Sequence, residues 1–275
     1  MSTETLPLDG PGRIIAIANQ KGGVGKTTTA INLGTALAEA GRRVLLIDLD
    51  PQGNASTGLG IDTNRRRTST YHLLSGECTL AEVSVPTGID NLSIAPSTVD
   101  LSGIDVEMID DPDRASRLRR AVRGEAGTPR GGYDVVLIDC PPSLNLLTVN
   151  AMTAAGSVLV PLQCEFFALE GITQLLSTVT RVRQRLNPAL HIHGIVLTMF
   201  DKRNRLSSEV EQDVRANFGD KVHVYKSVIP RNVRISEAPS HALPALVYDE
   251  ACAGSLAYRS LADEFLRRDA AMVAA

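Results

Sequence analysis

Cysteine pairs are missing from this chain of 275 residues: Cys78, Cys140, Cys164 and Cys252 stand far apart, with no C-x-x-C among them. That spacing gives no support to zinc or dithiol redox chemistry, and it fits separate, buried, reduced thiols. Long apolar runs are missing too; none approaches the roughly 20 residues needed to cross a bilayer. Met1 to Gly12 is polar and acidic and lacks the basic-then-apolar pattern of a secretory leader, so a cytoplasmic location is expected. His191 and His193 alternate on an apparent strand and alone make a poor metal site. No charge sign dominates. A net charge of −3 argues against polyanion binding over the whole surface and leaves room for a local basic patch. With 43% apolar and 21% charged residues, the composition is that of an ordinary soluble globular protein with ample core material.

The most informative stretch that is present is Lys21-Gly22-Gly23-Val24-Gly25-Lys26-Thr27-Thr28. An apolar run, Ile14 to Ala18, precedes it, and a helix-like segment, Thr29 to Leu37, follows. Strand, glycine loop and helix in that order make a phosphate cradle, because loop N–H groups and the positive helix end face one anion. Gly22, Gly23 and Gly25 let the backbone curl around it. Lys26 then reaches the β- and γ-phosphates of a nucleotide, and the Thr27 hydroxyl ligates Mg²⁺. The usual pattern, G-x-x-x-x-G-K-[ST], wants glycine where the chain has Gln20, and a second lysine, Lys21, opens the loop. Lys21 lies across the turn from Lys26 and is free to point away from its own nucleotide.

Acidic residues close two further apolar runs. Asp139 follows Val135 to Ile138, where a strand-end carboxylate would face the Mg²⁺ shell through water, opposite Thr27. Asp48 and Asp50 follow Val44 to Ile47, and residues two apart on a strand face the same side. Two carboxylates beside a triphosphate repel it unless a metal or a lysine intervenes. One division has Asp48 support the metal and lysine network while Asp50 orients the attacking water; the plain alternative is that Asp50-Pro51 starts a turn.

Along the chain, residues 1–12 read as a disordered tail, 13–268 as one domain and 269–275 as a C-terminal tail. Short strands are expected at Leu92–Pro96 and Ser227–Pro230, and longer ones at Ser157–Leu162 and Ile192–Thr198. Helices are expected over Arg114–Arg123, Glu170–Leu186, Leu206–Phe218 and Ser255–Arg268. Apolar, mostly β-branched runs alternating with helices predict an α/β fold: a single-domain, mostly parallel twisted sheet with helices on both faces. Its ligand should sit at the carboxyl ends of the strands.

K-G-G-V-G-K-T-T resembles the deviant Walker A motif of the ParA/MinD superfamily of P-loop ATPases. Val44 to Asn54 resembles that family's second acidic motif, and Tyr133 to Ser143 its Walker B strand. The similarity runs from about residue 13 to about residue 266 and is greatest to the ParA (Soj) branch, notably over Ile229 to Ser240. The resemblance implies an ATP- and Mg²⁺-dependent hydrolase with slow basal turnover. It implies that Lys21 acts on the partner's nucleotide in an ATP-dependent homodimer, and that Asp50 is catalytic. Lys21 through Thr28 (Val24 included), Asp48 and Asp139 would surround the phosphates, while Pro230 and Asn232 would pack on adenine. Thr198-Met199-Phe200-Asp201 occupies the place of a guanine-reading [NT]-K-x-D motif, with Met199 in place of the lysine, which weakens a GTP reading.

From Asp201 to Arg234 the chain has eight Lys/Arg against five Asp/Glu. Contacts from such groups to phosphates give sequence-independent, salt-sensitive DNA binding. The resemblance carries that role onto Arg203 and Arg234, with Lys202 and Arg205 beside them; Arg65–Arg67 and Arg117–Arg123 read as solvated faces. Only twelve residues precede the first strand and no helix-turn-helix stands there, so operator binding is not expected. The implied function is chromosome or plasmid partitioning on the nucleoid with a ParB-type centromere-binding partner. Three alternatives compete: ParA-like positioning of a protein cluster or organelle, MinD-like membrane cycling, and a metabolic enzyme of the superfamily such as a carboxylate ligase. Membrane cycling needs a basic, bulky amphipathic tail, and Phe265 to Ala275 is small and alanine-rich. The cluster cysteines of a nitrogenase iron protein are absent.

Overall fold

The computed structural model describes residues 13–123 and 129–274, without the side chains of 271–274. The expected disordered tail at 1–12 therefore lies outside the described residues.

Seven strands form one sheet: β1 (Arg13–Ile17), β2 (Val44–Asp48), β3 (Val85–Pro86), β4 (Leu92–Ala95), β5 (Val135–Asp139), β6 (Ser157–Gln163) and β7 (His191–Thr198). Their order is β3-β4-β2-β5-β1-β6-β7. All neighbours run parallel except β3, which pairs antiparallel with β4 at the edge. A two-residue strand containing Pro86 suits an edge, where the missing N–H costs no ladder bond. The central strands carry no polar alternation, and β2 and β5 are buried at every position. That pattern belongs to a sheet covered on both faces.

Twelve helices accompany the sheet among the described residues. They are α1 (Lys26–Glu39), α2 (Asn54–Gly58), α3 (Thr70–Ser75), α4 (Leu80–Val83), α5 (Ile104–Glu107) and α6 (Arg117–Val122) in the first half. The second half holds α7 (Leu146–Ala154), α8 (Ala168–Arg185), α9 (Arg205–Phe218), α10 (Val233–Glu237), α11 (Ala245–Tyr248) and α12 (Ala253–Ala274). Along β5, Val135 and Leu137 join the core under α1 and α12, while Val136 and Ile138 join the core under α7, α8 and α9. Alternate residues of one strand thus build two cores, as a pleated sheet requires. Among the described residues no helix is long and apolar enough to cross a membrane.

Two elements differ from the expectation. Ser227–Pro230 forms no strand: it makes an isolated bridge between Phe200 and Pro230 and one bond to β7, from Ile229 N–H to Leu197 O at 2.8 Å. The N–H groups of Lys226 and Ser227 donate instead to the Glu264 carboxylate on α12, at 2.8 and 2.9 Å, and Pro230 has no N–H to offer. The boundary expected at residue 268 falls inside α12, which runs on to Ala274. Asp269, 2% exposed, meets Arg13 of β1 at 3.3 Å and faces His193 Nε2 of β7 at 3.5 Å. These partners are more than seventy positions away in sequence, so a local reading of a small, alanine-rich tail could not see them.

Candidate functional site

The loop 19–25 joins the carboxyl end of β1 to α1. Asn19 anchors it: its Nδ2 donates to the Pro161 carbonyl of β6 at 2.8 Å, and its Oδ1 accepts from the Lys21 N–H at 3.0 Å. Gly23 and Gly25 have φ of 76° and 86°, a left-handed backbone that side chains rarely adopt. Gly25 caps α1, whose first ladder bond runs from Thr29 N–H to Gly25 O at 2.8 Å. From the other side, the Thr198 hydroxyl at the end of β7 donates to Val24 O at 2.8 Å. The cradle is held from three strands before any ligand enters.

Lys26 is 7% exposed and folds its Nζ back to the Lys21 carbonyl at 2.9 Å. Burial lowers its pKa, and Asp139, Cys140 and Asp50 oppose that shift. Lys21 behaves differently: its side chain is 42% exposed and ion-paired with Glu165, beyond β6. The structure thus separates the two lysines, one turned inward along the loop and one outward.

Parallel pairing of β2 with β5 sets Asp48 beside Asp139, each at its strand end and fully buried. Asp48 is well provided for. Ser56 donates to it from both N–H (2.9 Å) and Oγ (2.7 Å), and the Asp50 N–H adds a bond at 3.1 Å. Burial still pushes its pKa up to about 6, with those hydrogen bonds pulling it back. Neither oxygen of Asp139 has a well-formed hydrogen bond. Burial and then the Asp48 charge raise its pKa well above the usual carboxylate range, opposed by the Thr27 hydroxyl, which stops short of a well-formed bond. A buried carboxylate without a well-formed hydrogen bond calls for a cation. Thr27 and Asp139 fit a Mg²⁺ ion, which binds through one or two protein oxygens and substrate phosphates. Asp50, 8% exposed, accepts from Gln52 N–H at 3.0 Å, and its carbonyl accepts from Ser97 Oγ at 2.6 Å. The turn at Asp50-Pro51 is real, and it holds the carboxylate at the site's edge.

Pro230 and Asn232 share a cavity with the end of the glycine loop. A cavity of about 320 Å³ is lined by Gly25, Thr28, Met199, Pro230, Asn232 and Tyr258. Asn232 Oδ1 caps α10, accepting from Arg234 N–H at 2.9 Å and Ile235 N–H at 3.4 Å, which leaves its amide nitrogen for a ligand. Thr28 also lines a second cavity of about 290 Å³, with Asn54, Ile235 and Pro239 on its wall.

None of the four basic candidates lines either of these cavities. The Phe200–Pro230 bridge and the bond from Arg231 N–H to Phe200 O (3.0 Å) bring their two segments together. Arg203 and Arg205 are each 92% exposed and pair with Asp201 (3.3 Å) and Glu209 (2.7 Å). Arg234, half exposed, meets Glu237 at 3.0 Å and Asp249 at 3.4 Å, and Lys202 is exposed. Exposed pairs of this kind are weak enough to be exchanged.

Several residues of the site carry no sequence signal. Arg66 is not the solvated residue expected: its guanidinium donates to Ile61 O (2.6 and 2.9 Å) and Thr57 Oγ1 (2.8 Å) and braces the turn after Asp50. Ser56 and Ser97 sustain the acidic motif, and Tyr258 lines the cavity beside Gly25 and Pro230 with its hydroxyl 3.3 Å from Thr29 Oγ1. A hydroxyl or an arginine in a polar stretch has too many possible partners for spacing to choose among them.

A glycine loop, an inward lysine and two strand-end aspartates at the carboxyl edge of a parallel sheet define a P-loop nucleotide-binding fold. Comparison with known proteins narrows the class. Residues 12–192 match the AAA_31 family, described as an AAA domain. The chromosome partitioning protein ParA of Caulobacter vibrioides (strain NA1000 / CB15N) is 61% identical over 259 residues, covering 94% of this chain and 96% of that protein. The sporulation initiation inhibitor protein Soj of Bacillus subtilis (strain 168) is 49% identical over 253 residues, covering 92% and 98%. Among solved structures, cobyrinic acid a,c-diamide synthase from Mycobacterium smegmatis with bound ADP and magnesium superposes with a TM-score of 0.80. It is 39% identical, and the match covers 93% of this chain and 94% of that one. The chain belongs to the ParA/Soj family of chromosome-partitioning ATPases.

Proposed function

We propose that this protein is an ATP-dependent dimerising ATPase that binds DNA without sequence preference and drives chromosome or plasmid partitioning with a ParB-type partner. The observation that carries the reading is the buried Asp139 carboxylate, without a well-formed hydrogen bond, beside Asp48 at the mouth of the loop bearing Lys26 and Thr27. A site of this charge pattern is complete only with a cation and a polyphosphate in it.

In this reading Lys26 leaves the Lys21 carbonyl for the β- and γ-phosphates, while the N–H groups from Gly22 to Thr28 take the phosphate oxygens. Thr27 would hold Mg²⁺, with Asp139 reaching it through water, and the ion would supply neutralisation of the charge on the phosphates. Asp48, fixed by Ser56, keeps the carboxylate side of the site in register, and Asp50 orients the attacking water. Pro230 and Asn232 face the adenine. Lys21 belongs to the partner's site, where it neutralises charge on the transferring phosphate as an arginine finger does. A single chain then lacks part of its catalytic set, which accounts for slow basal turnover and for stimulation by a partner protein. Lys202, Arg203, Arg205 and Arg234 exchange their carboxylate partners for DNA phosphates. The protein would work in the cytoplasm on the nucleoid.

The likeness to a diamide synthase supports an amide-forming ligase as the second reading. Greater identity to the partitioning proteins, and a basic turn that a ligase has no use for, favour the first. The deciding experiment is binding to random-sequence duplex DNA with ATP, with ADP and without nucleotide, using Asp50→Ala to slow hydrolysis. ATP-dependent binding that weakens with salt supports partitioning. No binding in any state, despite ATP-driven dimers, refutes the DNA role and returns the choice to ligase or membrane chemistry.

A further inference from the structure

The pair between Lys21 and Glu165 has no task in the reading above. Its geometry is nonetheless specified from both sides. The Lys21 N–H is held by Asn19 Oδ1 at 3.0 Å, and Asn19 Nδ2 is held by Pro161 O of β6 at 2.8 Å, so the start of the glycine loop is stapled to β6. Beyond that strand the chain turns sharply. Glu165 N–H donates to Gln163 O at 2.9 Å, and Ala168 N–H donates to Glu165 O at 3.0 Å. The turn sets the Glu165 carboxylate against the Lys21 ammonium. With side chains 42% and 31% exposed, the two remain within reach of an approaching molecule. The next two residues, Phe166 and Phe167, are 75% and 61% exposed and stack edge to face at 5.1 Å. Tyr225, Tyr258 and Phe265 are fully buried, so two uncovered phenylalanines beside an outward lysine mark this rim as one that meets a partner.

We propose that Glu165 is a latch on Lys21. In the single chain it keeps the ammonium on its own β6 turn, and a second copy of the chain obtains that ammonium only when the pair opens. The inference rests on the reading of Lys21 as a group that acts in the partner's site. Dimerisation then opens two latches, one per protomer. The exchange is favourable when the ammonium trades one carboxylate for a triphosphate of higher charge, and less so for a diphosphate. Glu165 is thus a positioning residue that sharpens the nucleotide dependence of association, and the approaching copy covers Phe166 and Phe167.

The test is sedimentation velocity of the full chain with a non-hydrolysable ATP analogue or ADP, comparing wild type, Glu165→Gln, Lys21→Ala and the double variant. An exposed pair shifts an equilibrium by a factor of about 1.4 to 5. Two pairs per dimer therefore predict a dimer dissociation constant roughly 2- to 25-fold lower in Glu165→Gln. The ADP state should gain relative to the ATP-analogue state. The gap between wild type and Glu165→Gln should narrow as salt screens the pair, and Glu165→Gln should change nothing once Lys21 is alanine. Glu165→Asp, with its shorter carboxylate, should fall between wild type and Gln. Unchanged or weaker dimers in Glu165→Gln, with Lys21→Ala monomeric, overturn the latch alone. Normal dimers and turnover in Lys21→Ala overturn the reading of Lys21 beneath it.

Discussion

Asp139→Asn should stabilise the ligand-free protein while abolishing its response to Mg²⁺ and ATP. The side chain is 0% exposed, neither carboxylate oxygen has a well-formed hydrogen bond, and Asp48 stands beside it in register. A buried polar group without its partner costs about 1–3 kcal/mol, and more when charged. Asparagine keeps the shape and stays polar, so what it relieves is the added cost of the buried charge and its repulsion by Asp48, a gain on the order of 1–3 kcal/mol. Near the midpoint a chain of this size moves about 2 °C per kcal/mol, which gives about 2–6 °C. The sign with pH follows from the raised pKa of Asp139. The folded state binds this proton more tightly than the unfolded one, so the native aspartate is harmless below its unfolded pKa and costs stability as pH rises above it. The variant's advantage should vanish near pH 4 and grow towards pH 8. Thermal melts across that range, with and without Mg²⁺ and ATP, read both effects. A variant less stable than wild type at pH 8 without ligand refutes the energetic argument. One that keeps the wild-type thermal shift with Mg²⁺ and ATP refutes the assignment of the ion to Asp139.

Three further outcomes are expected. Lys21→Ala should still bind ATP, by calorimetry, yet lose ATP-dependent dimers and lower turnover on the order of 10³-fold, the scale of a finger supplied in trans; normal turnover would remove the cross-subunit role. Arg234→Ala should dimerise normally and reduce the salt slope of DNA binding by about 1, the loss of one phosphate contact; an unchanged slope takes Arg234 out of the interface. Asn232→Ala deletes the cap of α10, worth about 1 kcal/mol, and should weaken nucleotide and DNA binding together by roughly fivefold. DNA binding that falls with nucleotide affinity intact would show that Asn232 only holds the helix.

Much of this architecture was legible because it is local. The loop from Lys21 to Thr28 follows an apolar run and precedes a helical one, and the apolar runs before Asp48 and Asp139 carry no polar alternation that an exposed sheet face would need. What escaped was non-local. Glu264 on the closing helix takes the N–H groups of Lys226 and Ser227 at the start of the expected strand, and Asp269 finds Arg13 at the opposite end of the chain. Arg66 reads as charge and acts as a brace, because three acceptors gather around it only after the turn at Gly53 has formed. Lys21 was singled out by its position in the motif, yet its carboxylate partner at Glu165 depends on β6 lying next to β1.

The same features explain why the site is costly to the fold. Asp48 and Asp139 are fully buried at adjacent strand ends, and both are pushed towards their protonated forms. Lys26 is buried beside them and is pushed towards its neutral form. Each group would be happier in water. They persist because strands β1, β2 and β5 bury their Ile, Leu and Val side chains in the two cores, and that sheet dictates where its ends fall. A cation at Asp139 and phosphates at Lys26 would relieve both penalties at once, which would link ligand binding and folding stability through these three residues. Lys21 obeys the opposite logic. It is exposed and cheaply paired, so it can leave Glu165 without disturbing the core, which is what a group that must change partners requires.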